Sequence, residues 1–259
     1  MTRFASLGSG SQGNGLVFEV NSTRVLLDCG FNPRDTQARL ARIGIEPSAL
    51  TGIIVTHEHS DHSAGVFPFA LRNEVPVWIT HGTLSALRAA NANVDKGVTV
   101  NIVDGHGAIA IGDVQVQPYT VPHDAREPVQ YVLSDGMRRL GVLTDTGCST
   151  PHIEAHLSGC DALVLETNHD RDMLMNGSYP AWLKARVGGR FGHLDNAASA
   201  QLLQALDRSR LQHVIAAHLS HQNNTPDLAR DALVAVLDCE PAWVTLANQA
   251  EGFSWRDLV

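Results

Sequence analysis

The chain has 259 residues, 44% of them hydrophobic, and a formal net charge of −8. That length and apolar content supply a sizeable core, enough for one large α/β domain. The charge excludes nonspecific coating of nucleic acid. It does not exclude an enzyme acting on nucleic acid, because two divalent ions would offset half of it and basic groups are gathered locally, Lys184, Arg186 and Arg190 among them. No apolar segment ending in a cleavage site opens the sequence, and no stretch approaches the length of a membrane span. Cys29, Cys148, Cys160 and Cys239 are scattered without a C-x-x-C pair, the usage of reduced thiols. These features predict a cytoplasmic protein with no membrane contact.

In chain order, Phe4 to Leu7 and Leu16 to Val20 read as strands around Gly8-Ser-Gly-Ser-Gln-Gly-Asn-Gly15. The glycines match G-x-G-x-x-G, but a strand follows where a dinucleotide site needs a helix. The loop is either a plain hairpin connection or a cradle whose N–H groups meet a phosphate, with Ser9, Ser11 and Asn14 as contacts. Arg24 to Asp28 is the next strand, Pro33 to Ile43 a helix, and Gly52 to Val55 a short buried strand. The next seven residues are Thr56-His57-Glu58-His59-Ser60-Asp61-His62. Three imidazoles and a carboxylate at this spacing make a poor core, because buried polar groups need partners. They are ligand chemistry for Zn, Mn or Fe. A turn leaving the strand can aim His57 and His59 at one ion and Asp61 and His62 at a second. Glu58 points away in any such turn.

Helices follow over Ser63 to Arg72 and Thr83 to Ala92, with a strand over Val77 to Thr80. Strands then run over Val100 to Val103, Val114 to Val121, Val129 to Leu133 and Leu140 to Thr144. Val116, Tyr119 and Val121 do not alternate cleanly, which predicts a bulge. His152 and His156 share a helix face that reads as solvated; His81, His106 and His213 read as structural. The second half alternates: strand to Glu166, helices over Pro180 to Val187 and Asn196 to Leu206, strand to Ala217, helix over Pro226 to Leu237, strand over Trp243 to Leu246, and an edge over Gly252 to Trp255. Asp195 reads as a helix N-cap. No linker or repeat interrupts residues 1–259, which read as a single domain of two β/α layers packed face to face.

Four apolar strands end in a ligand type: Val55 before His57, Val121 before His123, Leu143 before Asp145, and Ala217 before His218. Ligands gather beyond the carboxyl ends of strands in α/β sheets. Asn168, His169, His221 and Asn223 also lie past strand ends and are candidates for substrate contact. Lys184 and Arg186 either bind phosphate or cover apolar surface with their stems.

His57-x-His59-x-Asp61-His62 after Ile-Ile-Val-Thr resembles the signature of the metallo-β-lactamase fold superfamily. The resemblance implies a four-layer αββα sandwich with two divalent ions, Mn or Zn. His57, His59 and His123 would hold one, and Asp61, His62 and His218 the other. Asp145 would bridge them beside a shared hydroxide. It also implies that Asp28, and with it Glu166, orients ligands from behind. His59 stands where the diiron redox branch carries Glu, and Asp145 where classical β-lactamases often carry Cys. Gly192-His193-Leu before His218-Leu-Ser220 resembles the phosphodiesterase branch, in which that first histidine protonates the leaving oxygen. Ser6 to Asn14, Leu165 to Asp170, Tyr179 to Lys184 and His218 to Asn224 resemble the small bacterial WalJ- and YycJ-like exonucleases. Asp195 and Gln130 depart from their usual Ser and Gly.

The expectation is therefore a metal-dependent phosphodiesterase without a separate cap domain. It would be a 5′→3′ exonuclease on single-stranded DNA, linked to DNA repair. Asp61 would orient or deprotonate the nucleophile and His193 would act as general acid. The alternatives are a hydrolase of a cyclic phosphodiester, lactone or thioester on the same fold, and a non-enzymatic metal-binding regulator of cell-wall signalling.

Overall fold

A computed structural model describes residues 1–259. Strand and helix follow one another in two passes. The first contains β1 (Thr2–Gly8), β2 (Gly15–Val20), β3 (Thr23–Leu27), α1 (Pro33–Arg42), β4 (Gly52–Ile54), α2 (Ser60–Ser63), α3 (Val66–Asn73), β5 (Val77–Thr80), α4 (His81–Ala90) and β6 (Val100–Val103). The second contains β7 (Ile109–Ile111), β8 (Val114–Thr120), β9 (Val129–Ser134), β10 (Arg139–Leu143), α5 (Pro151–Leu157) and β11 (Ala162–Glu166). It continues through α6 (Arg171–Asn176), α7 (Ala181–Val187), α8 (Asn196–Ala205), β12 (His213–Ala217), α9 (Pro226–Leu237) and β13 (Val244–Leu246). A last strand, β14 (Phe253–Leu258), returns to the first sheet and pairs antiparallel with β1.

The two sheets are built to one plan. Their orders are β14-β1-β2-β3-β4-β5-β6 and β7-β8-β9-β10-β11-β12-β13. In each, hairpin-type antiparallel pairing gives way at the fourth strand to parallel pairing. Parallel neighbours require crossovers, and the crossover helices cover the outer faces. Alternation along each strand sorts the apolar side chains. In β3 and β4, Val25, Leu27 and Ile54 join a 22-residue cluster between the sheets. Leu26 and Ile53 join an 18-residue cluster under α1 and α3. A third cluster, of 17 residues, lies under α5, α8 and α9 and includes Ile153, Leu202 and Leu233. Three apolar layers between four structural ones make the αββα sandwich.

Several boundaries differ from the sequence reading. The helix expected over Ser63 to Arg72 is split into α2 and α3 at Gly65, whose N–H donates to the Cys29 carbonyl. A Cβ there would lie 1.9 Å from the Phe31 carbonyl oxygen, so the chain must stay glycine at this approach. β8 has no bulge: its register with β9 is unbroken from Gln115 to Thr120. Tyr119 is buried out of turn because His156 of α5 stacks on its ring, 5.0 Å between centroids. The short β7 and α6 escaped the sequence reading, and Trp243 lies just before β13. Asp195 caps α8, its carboxylate accepting from the Ala198 N–H. All four cysteines are free. No helix is long and apolar enough to cross a membrane.

Candidate metal centre

The ligand types lie at or just past the carboxyl ends of strands of both sheets. β4 leads into His57 and His59, and α2 turns Asp61 and His62 back toward the strand ends. His123 follows β8, Asp145 follows β10, Glu166 ends β11, and His218 follows β12. Gly30 makes the α2 turn possible: a Cβ on it would fall 1.7 Å from the Asp61 carbonyl oxygen. His218 takes a left-handed backbone conformation (φ 54°), which is costly for a side chain of this type. Its N–H is held by Ser9 Oγ at 2.9 Å.

Two triads converge. In the first, His57 Nε2 is 3.0 Å and His123 Nε2 3.2 Å from His59 Nδ1. In the second, Asp61 Oδ2 is 3.3 Å from His62 Nε2 and 3.2 Å from His218 Nε2. Asp145 stands between them. Its Oδ2 is 3.0 Å from His62 Nε2, and its Oδ1 lies 3.8 Å from His123 Nε2 and 3.7 Å from His218 Nε2.

The surrounding bonds set which ring nitrogen faces the centre. His62 Nδ1–H donates to Asp28 Oδ2 at 2.7 Å, and His123 Nδ1–H donates to the Gly192 carbonyl at 3.0 Å. Thr56 gives its N–H and hydroxyl to the two Asp28 oxygens. Its Oγ1 is then left to accept from His57 Nδ1–H at 2.9 Å. Each inward Nε2 therefore carries a lone pair, the arrangement that second partners impose on metal-binding histidines. Asp145 Oδ2 is buried with no hydrogen-bond partner and faces the lone pair of His62. With His62 neutral these are two acceptors 3.0 Å apart, which need a proton or a metal ion between them; burial opposes charge on His62, yet the surrounding carboxylates accordingly push its pKa well above the ordinary value.

Electrostatics agree. Burial opposes charge on Asp145, yet His218 and His62 hold its carboxyl well below the ordinary range. Burial likewise opposes charge on Asp61, and His62 and His218 hold it low. Burial would keep His218 neutral, but Asp145 and Asp61 push it up to about 10. These carboxylates thus demand positive charge, as imidazolium protons or as bound ions. Burial and neighbouring imidazoles hold His57 below its usual value, which favours the neutral, coordinating form. The donor set fits two divalent ions of the N/O-binding kind.

His193 shares the cleft but differs in its bonding. Its Nδ1 is 2.7 Å from Glu166 Oε1 and 3.3 Å from Asp145 Oδ1. The other Glu166 oxygen accepts from the Thr146 and Leu194 N–H groups. Glu166 therefore serves His193 more closely than His218, whose Nδ1 is 3.6 Å away. The cleft, of about 330 Å³, is lined by Ser11, His59, Asp61, Asp145, Arg186 and His193, among others.

The remaining substrate candidates divide. Asn14 Nδ2 lies 3.2 Å from Asp61 Oδ2 and 3.1 Å from His62 Nε2, so it braces the second triad. Asn168 holds the His218 carbonyl, and His169 is buried beside it. Asn223 is buried on Ser220. Ser11 and His221 are exposed on a second groove adjoining the first. Lys184 Nζ donates to the Met175 carbonyl instead of facing the cleft. Arg186 faces it, its Nε 2.6 Å from Asp124 Oδ2. Asp124 in turn lies 3.8 Å from His59 Nε2 and 3.5 Å from His123 Nε2. Asp124 and Thr56 escaped the sequence reading, although each directly adjoins a ligand. Glu58 faces away and accepts from the Arg126 N–H.

Residues 23–219 match the beta-lactamase superfamily domain. The chain is 33% identical over 237 residues to the exodeoxyribonuclease YycJ of Bacillus anthracis, covering 91% of this chain and 89% of that protein. It is 30% identical over 234 residues to the exodeoxyribonuclease WalJ of Streptococcus pneumoniae, covering 90% and 87%. Its fold is similar to that of the metallo-β-lactamase fold protein YhfI of Bacillus subtilis, with a TM-score of 0.75 at 15% identity over 99% of this chain and 100% of that one. The chain, with its four-layer sandwich and its histidine-rich strand ends, belongs to the metallo-β-lactamase superfamily.

Proposed function

We propose that this metal-dependent hydrolase is a phosphodiesterase acting as a 5′→3′ exonuclease on single-stranded DNA, with two divalent ions, Mn or Zn. The observation that carries this reading is His193. An imidazole stands beside both triads, anchored through Nδ1 on a buried glutamate, with Nε2 bonded by no protein group. Hydrolysis of a phosphodiester needs a proton for its leaving alkoxide, and a protonated imidazole in this position supplies it. The likeness to two proteins named exodeoxyribonucleases supports nucleic acid as the substrate class.

His57, His59 and His123 would hold one ion, Asp61, His62 and His218 the other, and Asp145 would serve both. Bound there, the ions would supply activated water at neutral pH and neutralise charge on the phosphate. Asp61 orients the attacking water and takes its proton as the O–P bond forms. The opposite P–O bond breaks, and His193 gives its proton to the departing oxygen. Burial disfavours that proton, but the Glu166 carboxylate restores it and holds the His193 pKa above the ordinary histidine value. The product strand retains a 5′-phosphate.

The test follows 5′-labelled single-stranded DNA with metal-stripped protein, to which Mn²⁺ or Zn²⁺ is returned, alongside His193→Ala. The expected result is no cleavage without metal and mononucleotide release with it. His193→Ala should turn over about 10²–10⁴-fold more slowly with its metal content intact. Protein carrying two ions that leaves the strand whole would instead be a small-molecule hydrolase.

A further inference from the structure

The two most exposed aromatic side chains of the protein, Trp182 at 67% and Phe191 at 56%, lie on the segment that walls the cleft. Trp182 is in α7, one helical turn before Arg186 and on the same face. No residue of α7 is buried. A helix this short gains stability from packing, not from its own hydrogen bonds: Leu183 and Val187 are half-buried at the cleft wall, while Trp182 beside them stands exposed. The backbone around Phe191 is pinned to the metal turns. Its carbonyl accepts from the Asp124 N–H at 3.0 Å. The preceding carbonyl, of Arg190, packs so closely on Gly147 that a Cβ there would lie 2.1 Å away. Between the aromatics, Arg186 is tied to Asp124 at 2.6 Å, beside the first triad. Along the segment the order is aromatic, cation, aromatic: Arg186 lines the cleft, and Trp182 and Phe191 directly adjoin the lining residues Leu183 and Gly192.

We propose that Trp182, Arg186 and Phe191 form a platform on which the bases of a single-stranded nucleic acid stack as its end enters the metal cleft; this rests on the nuclease reading above. Flat exposed rings interleaved with a cation match the alternation of bases and phosphates along one strand. In a duplex the base faces are already stacked and unavailable. Protein-docking faces are also rich in Trp, Phe and Arg, but this strip adjoins residues that line the metal cleft, where a strand end has to enter. Arg186 belongs to the cleft lining and each aromatic is next in sequence to a lining residue, so a strand lying on this segment would deliver its phosphates to Arg186 and then to the triads.

The experiment measures binding of a fluorescent, phosphorothioate-blocked oligothymidine to the Mn²⁺-loaded protein, and of an abasic strand of equal length. Trp182→Ala should weaken oligothymidine binding about tenfold, and Trp182→Phe should retain most of the affinity. The abasic strand should bind wild type and Trp182→Ala alike, because it offers nothing to stack. A tenfold loss that persists on the abasic strand, or equal oligothymidine affinity in wild type and both variants, overturns the platform while leaving the nuclease reading in place. Wild-type protein that binds neither strand overturns both. A dimer that dissociates in Trp182→Ala, with strand affinity unchanged, would assign the face to self-association.

Discussion

Asp145 is the one buried carboxylate within 4 Å of both triads, and no neighbour can take its place. On the proposed two-ion reading, Asp145→Ala should therefore lower the metal content from two ions toward one or none, read by elemental analysis after dialysis. Full retention of both ions would remove Asp145 from the shared position. The cysteines lend themselves to a different measurement. Burial pushes the Cys29 thiol up to about 12 and the Cys160 thiol up to about 11. At pH 8 both are neutral and enclosed, so a disulfide reagent should titrate Cys148 and Cys239 in the native protein and all four thiols only after unfolding. Prompt modification of all four would contradict the packing around Cys29. At this scale the sequence revealed residue types well and orientation poorly. His57 to His62 were legible because six residues of ligand chemistry have no other economical use. Lys184 and Arg186 looked equivalent because one helical turn of basic residues does not say which of them faces inward.

Turns more than strands decide whether these side chains meet. Asp61 and His62 reach the centre because α2 folds back tightly against Gly30, where there is no room for a methyl group. Gly30→Ala should displace α2, weaken binding of the second ion more than the first, and cost several fold in turnover; metal titration by calorimetry would show it. Equal affinities in the variant would mean that α2 can shift without disturbing the triad. The strand ends were readable as apolar runs stopping at a ligand type. The kink at Gly65 and the buried Tyr119 were not, because both depend on a distant partner, the Phe31 carbonyl in one case and α5 in the other. The Asn14 loop illustrates the same limit. Its glycines left a plain hairpin and a phosphate cradle both open, and the structure spends the Asn14 side chain on bracing Asp61 and His62.

For the molecule as a whole, the two sheets support one another through the apolar layer between them. Phe18 is fully buried there. Phe18→Ala should lower stability by about 3–5 kcal/mol, measured by urea unfolding, with little effect on ligand geometry at the far strand ends. A loss below about 1 kcal/mol would mean that the layer collapses around the gap. The repeated β/α alternation made the two-layer plan legible in advance. Sheet order was not, because β14 crosses from the second half to complete the first sheet. That pairing joins the beginning of the sequence to its end, Thr2 opposite Leu258. During synthesis β1 leaves the ribosome long before β14 and waits, one edge unpaired, while the strands between them are made. An open strand edge invites wrong partners. The window for misassembly is thus set by the time taken to translate from β1 to β14, and slowing the ribosome anywhere within that stretch should cost folded protein.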